Sequence, residues 1–157
     1  MEFYRWLQNN DYIQFVAQSP SIWGFPFVLV LHTVGLALLV GTNAIVDLRV
    51  LGAGGKIPLP SLLRTSRIMW IGFAISAASG TVLFLTDPDH RLMQRVFFIK
   101  LGLIALALIV TYLIRPVLRR EPAASSGRTP AWAKLLAVSS LLLWAGAICF
   151  ARLMALS

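Results

Sequence analysis

The chain has 157 residues, 58% of them hydrophobic and 13% charged, with a mean hydropathy of +0.78, a composition that excludes an ordinary water-soluble domain. Fourteen Lys and Arg against six Asp and Glu leave a formal charge of +8. The basic residues flank apolar runs, and the basic connection before the last apolar run lacks interleaved aromatics, so they read as membrane topology and not as a nucleic-acid surface.

The first segment, 1–22, carries a weak amphipathic pattern in Phe3, Trp6, Leu7, Tyr12 and Phe15, expected to lie along the membrane interface. Its start, MEFYRWLQNNDYIQF, has no basic stretch ahead of an apolar core and no cleavage-site pattern, so it does not read as a cleaved signal peptide. Four apolar stretches follow, near 25–47, 67–86, 96–117 and 132–155. Each is long enough to cross about 30 Å of hydrocarbon as a helix. The first connection, GAGGKIPLPSLLRTSR, holds the glycines and prolines that stop helices; the second, DPDHRLMQR, is short and polar; the third, residues 118–131, contains RREPAASSGRTP and reads as a solvated cytoplasmic linker.

Orientation follows from the basic residues. The first connection and its flanks hold Arg49, Lys56, Arg64 and Arg67, and the third holds Arg115, Arg119, Arg120, Arg128 and Lys134. The opposite side has Arg5, Arg91, Arg95 and Arg152, diluted by Glu2, Asp11, Asp87 and Asp89. The positive-inside bias predicts that both termini and the DPDH loop lie on the outer, periplasmic side of a bacterial inner membrane. The expected fold is all-α: one domain over 1–157, an integral membrane four-helix bundle. Its helices would pack through small residues such as Gly72, Ser76 and Gly80 on the second span, and Gly146 with Ala145 and Ala147 on the fourth.

On the first span His32, Gly35, Leu39 and Asn43 recur at three or four residues, so they share one face, with Asp47 a turn further on. An ionisable side chain facing lipid is costly, so this face is expected to point into the bundle. A gap opposite Gly35 would admit the edge of a planar ligand; alternatively Gly35 only lets another helix approach. His32 and Lys100, in VFFIKLGLIALALIV, are expected at similar depth, with His90 in the outer loop. Imidazole is a common axial haem ligand, and inward histidines in a four-helix bundle are a usual way to hold haem. Two histidines allow at most one bis-His haem. No H-x-x-H, E-x-x-H, P-loop or G-x-G-x-x-G pattern occurs, and the single Cys149 forms no intramolecular disulfide. Each candidate has a plainer role. His32 would hydrogen-bond a Ser or Thr on a neighbouring helix, Lys100 would snorkel, His90 would be solvated, and Asp47 with Arg49 would make an interfacial salt bridge. Trp23, Trp70 and Trp132 read as an interfacial belt.

The run HTVGLALLVGTNAIVDLR resembles the first-helix motif of HemJ-type protoporphyrinogen IX oxidases, with H-x-x-G, a later glycine and a terminal arginine in the same order; FFIKLGLIALAL resembles their lysine-bearing helix. That resemblance implies a b-type haem, with His32 and Lys100 at the matching positions and Gly35, Gly41 and Arg49 as supporting positions. Where that family has an N-E pair before proline and a histidine after its lysine helix, this chain reads RTPAWAKLL and VTYLIRP. FPFVLVLH and VDLRVLG are similarly like uncharacterised four-helix families near the CopD copper-resistance domain.

The resulting expectation is a haem-dependent membrane oxidoreductase with one haem b near the outer face. His32 would be an axial ligand, His90 the second, with Met93 as the alternative, and Lys100 would pair with a propionate or a substrate carboxylate. Gly35 and Asn43 would lie beside the cofactor. It would pass electrons between the quinone pool and an outer partner, or oxidise a tetrapyrrole. Two other readings stand beside it: a cofactor-free accessory or assembly subunit, held as a homo-oligomer or in a larger membrane complex, and copper handling, for which no Met or His cluster is present.

Overall fold

The computed structural model describes residues 10–18, 21–53, 61–88, 95–119 and 129–156, apart from some side chains near helix ends. Among these the regular structure is entirely helical: α1 (Asp11–Gln18), α2 (Phe25–Leu51), α3 (Ser61–Thr86), α4 (Arg95–Arg119) and α5 (Ala131–Leu156). Within α2 to α5, the stretches Phe25–Leu51, Thr65–Thr86, Arg95–Pro116 and Ala131–Ala151 are long and apolar enough to span a membrane. The chain is a multi-pass membrane protein with a four-helix core, as the hydropathy pattern predicts.

Local chemistry explains the ends of α2. Pro26 sits in its first turn, where a missing N–H costs nothing. At the other end Gly52 adopts the left-handed conformation at φ 108°; its N–H donates to the Arg49 carbonyl and that of Ala53 to the Leu48 carbonyl, a Schellman ending. The helix therefore runs one turn past 47 and includes Arg49. The Thr129 hydroxyl, just before α5, donates to the Val50 carbonyl at 3.1 Å and satisfies another helix-terminal acceptor.

The four long helices form two tightly packed antiparallel hairpins, α2 with α3 and α4 with α5, joined along α2 and α5. Side chains bridge α3 and α4 near both ends: Phe84 stacks on Phe97 with centroids 5.4 Å apart, and the Arg115 guanidinium donates to the Ser66 hydroxyl while lying 5.3 Å from the Trp70 ring centre. The core has three layers. Val46, Val50, Leu62, Val110, Ile114, Ala133 and Ala137 form one beside the ends carrying Arg49, Arg67, Arg115 and Lys134, here called the basic end. Leu39, Met69, Ala107 and Trp144 form the middle. Val28 and Leu83 close the other end, where Val16 of α1 packs on them. Only 22–28% of each apolar stretch is buried, and residues such as Val30, Ile71, Leu113 and Leu142 face outward, as lipid requires.

The short α1 is more than an interfacial strip. Ile13 and Val16 are buried against the bundle, whereas Phe15, expected on the apolar face, is 46% exposed. The expected positions Phe3, Trp6 and Leu7 lie outside the described residues, as does the side chain of Tyr12.

Helices in lipid lack a hydrophobic drive towards one another, so close approach depends on small residues. A methyl group on Gly72 would lie 2.8 Å from the Gly35 carbonyl oxygen and from the Leu39 backbone nitrogen; one on Gly35 would lie 2.7 Å from the Ser76 backbone nitrogen. Neither neighbour can yield, because both are backbone. Gly146 differs from its expected role: an added methyl would only reach ordinary contact with Leu103 at 3.7 Å. Gly72→Leu should therefore destabilise the detergent-solubilised protein by at least about 1–3 kcal/mol in thermal or denaturant unfolding. Gly41→Leu, on an exposed position with nothing within 4 Å of the new methyl, should change stability by no more than about 0.5 kcal/mol.

Candidate functional site

The inward stripe expected on α2 forms: Gly35, Leu39, Asn43 and Asp47 are buried, and His32 is half-buried. Its members do not serve one site. They divide into two polar centres separated along α2 by 11 residues, from His32 to Asn43, which is about 17 Å of helix.

The first centre is at the α1 end. His32 Nδ1 is 2.9 Å from the Ser76 backbone carbonyl oxygen, 3.2 Å from the Ser79 hydroxyl and 3.4 Å from the Ser76 hydroxyl. A carbonyl oxygen only accepts, so Nδ1 carries the proton and, in the neutral ring, the lone pair resides on Nε2. Ser79 is itself tied down by donating to the Ile75 carbonyl at 2.6 Å. The Nδ1–Cε1 edge of the imidazole lies against Gly80, where a methyl group would sit 3.0 Å from His32 Cε1 and 3.3 Å from Nδ1. Gly35, one turn along, meets the backbone of Gly72 and Ser76, so the opening expected opposite it is filled by α3.

The Phe84–Phe97 stack sets the level of Lys100. One turn from Phe84 towards the basic end is Gly80, which carries the His32 ring; three residues from Phe97 in the same direction is half-buried Lys100. His32 and Lys100 thus occupy one level of the bundle. His90 and Met93 lie outside the described residues. Among the described residues no group of three or more His, Cys, Asp or Glu side chains converges, and Cys149 is exposed.

The second centre joins three helices near the basic end. Asn43 Nδ2 donates to Asp47 Oδ2 and to the Ser140 hydroxyl, both at 2.8 Å, and the Thr111 hydroxyl approaches Asn43 Oδ1 at 2.8 Å. All four side chains are at most 9% exposed. Asn43 is therefore engaged far from His32 and not beside it. Asp47 turns inward to Asn43 and does not make the salt bridge expected with Arg49. Residues two apart on a helix point to different faces, which is the physical reason. Ser79, Thr111 and Ser140 escaped the sequence reading, and Ser76 was read there only as a small packing residue; their signal was a hydroxyl within an apolar helix.

The three aromatic residues expected in an interfacial belt are outward: Trp23 is 66%, Trp70 42% and Trp132 48% exposed. Trp70 and Tyr112 also flank the Arg115 guanidinium at 5.3 and 5.8 Å, which holds that charge at the rim.

Removing the Asn43 amide takes a partner from three buried groups at once, of which Thr111 keeps another in the Ala107 carbonyl. Asn43→Ala should cost about 1–3 kcal/mol in unfolding measured in detergent. Thr111→Val should cost less, because it takes the donor from one acceptor, Asn43 Oδ1, while the Ala107 carbonyl keeps the N–H of its own helix.

No protein-family model, no curated protein and no solved structure matches the chain, so the resemblances to the HemJ-type and CopD-adjacent families rest on their residues alone.

Proposed function

We propose that the protein binds one b-type haem at the level of His32 and Lys100, with His32 Nε2 as an axial ligand. The observation that carries this reading is the 2.9 Å bond from His32 Nδ1 to the Ser76 carbonyl. Metal-ligating histidines commonly donate their second nitrogen to such an acceptor, which orients the ring and makes the other nitrogen more basic. Two further features support it. Gly80 leaves room for the edge of the ring against α3, and Lys100, at the same level, would meet a propionate or a substrate carboxylate. The α2–α3 seam is closed by backbone at Gly35 and Gly72, so a planar group does not fit there. The α3–α4 side is bridged instead by side chains, Phe84 on Phe97 and Arg115 on Ser66, which can shift where backbone cannot.

Bound haem would supply one-electron exchange at its iron, for electron transfer with quinone or for tetrapyrrole oxidation. The protein's own contribution would be to fix one imidazole tautomer through the Ser76 carbonyl and to hold a cation at the same level. The orientation read from the basic residues places this level towards the outer face. A second reading, a cofactor-free subunit of a larger membrane assembly, is favoured by the same hydrogen bonds, because they also clasp α2 to α3.

An optical spectrum of the protein purified from haem-replete cells separates the two. A Soret band that shifts on dithionite reduction is expected, and His32→Ala should remove it; a featureless spectrum would leave the cofactor-free reading. Gly80→Val should displace the ring and lower haem occupancy. Lys100→Ala should retain haem but lower its midpoint potential, since a nearby cation favours the reduced iron. A carboxy-terminal alkaline phosphatase fusion should be active in a bacterial host, and an inactive one would invert the proposed topology.

A further inference from the structure

Asp47 is the carboxylate that the haem reading does not use. It is 1% exposed, its Oδ2 accepts from Asn43, and its Oδ1 is fully buried with no hydrogen-bond partner among the described residues. An isolated carboxylate in that environment is costly, and buried charge is normally paired or neutralised. Among the described side chains, the charged ones towards this end of the surrounding elements are Arg49 on α2, Arg67 on α3, Arg115 on α4 and Lys134 on α5. Arg49 is two residues on, on a different face; Arg67 and Lys134 are exposed; Arg115 is committed to Ser66 and Trp70. Among the described residues the groups around Asp47 within the bundle are neutral: Asn43 by its hydrogen bond, with Ser140 and Thr111 bonded to the same amide.

We propose that Asp47 is an exchangeable proton-binding site, distinct from the His32 centre and independent of whether haem is bound there. Protonation takes one proton from water at the basic end and forms the carboxyl O–H; release returns it to water. The neighbouring side chains fit both states. The Thr111 hydroxyl has one hydrogen but two acceptors at 2.8 Å, Asn43 Oδ1 and the Ala107 carbonyl. With Asp47 ionised, Asn43 Nδ2 donates to it and Thr111 donates to Asn43. With Asp47 protonated, the Asn43 amide can turn over: its oxygen then accepts from Asp47 and Ser140, its nitrogen donates to Thr111, and Thr111 donates to Ala107. Both arrangements use the same 2.8 Å separations. Such a separation suits a hydrogen and is too short for a metal ion coordinated between the two atoms.

The position of Asp47, four residues before the end of α2, puts the exchange with water on the basic side. Trp144, one turn from Ser140 on α5, has a buried indole N–H that likewise lacks a partner among the described residues, so the polar centre borders a second unmet group.

The test uses the full chain in lipid vesicles. Dicyclohexylcarbodiimide modifies protonated carboxyls in apolar surroundings, so mass mapping should find the adduct on Asp47 near neutral pH, declining as pH rises. Infrared spectra should show a protonated carboxyl C=O band that shifts in D2O and is absent from Asp47→Asn. Thermal unfolding of that variant should stay close to wild type, since an amide can occupy either arrangement. Absence of both the adduct and the band at every pH from mildly acidic to alkaline would overturn the proposal. So would labelling blocked by sodium but not potassium, which would make the occupant a metal ion. The wild-type labelling and D2O shift decide the matter even if Asp47→Asn does not fold.

Discussion

The close approach of α2 and α3 at Gly35 and Gly72 is the contact on which the upper half of the bundle depends. With a Cβ at either position, backbone atoms under 3 Å away would have to move. Because the helices meet there, the Ser76 carbonyl comes within reach of His32, one turn further along. An α-helical carbonyl is ordinarily committed to its own helix, so a side chain from another helix can share it only at short range. The absence of two side chains thus creates the environment of a third.

The other half of the bundle is joined differently. On α5 the residues buried at helical spacing are Ala133, Ala137, Ser140, Trp144 and Ala147, and on α4 they are Ala107, Val110, Thr111 and Ile114. Each stripe places one hydroxyl beside the α2 amide of Asn43. Asn suits this role because it offers two donors and an acceptor on one short side chain, enough to reach α4, α5 and its own next turn together. In a medium where apolar surface gives no preference for one helix neighbour over another, such a hub distinguishes the native arrangement of α2, α4 and α5 from a rotated one.

Much of this was legible in the sequence because it depends on periodicity. The apolar runs located the four spans, and the three- and four-residue spacing of His32, Gly35, Leu39, Asn43 and Asp47 identified the buried face. Even the inward turn of Asp47 was available, since Arg49 two residues on could not share its face. What periodicity does not contain is the partner. Gly35 and Gly146 look alike as small residues in apolar helices, yet one touches backbone and the other only the tip of a leucine side chain. Likewise Ser76 read as a spacer, whereas its carbonyl, an atom every residue possesses, is the group that holds His32. For α1 the apolar residues were counted without a phase, and the buried pair proved to be Ile13 and Val16.

The two polar centres differ in whether their partners can change roles, and this bears on how they are related. At His32 the proton position is imposed by a backbone acceptor that cannot change its role, so the imidazole is held in one orientation. At Asp47 every neighbour is a hydroxyl or an amide, groups that can each reverse between donor and acceptor. A rigid centre suits holding a group in place, and a reversible one suits gaining and losing a proton. The two are linked by one continuous element, since Leu39, buried between them on α2, packs on Met69, Ala107 and Trp144. Any movement of α2 that repacks this layer would be felt by both centres. Among the described residues that layer is apolar and holds no chain of hydrogen bonds, so a proton taken up at Asp47 has no path through it to His32, and only a shift of α2 itself would reach both centres.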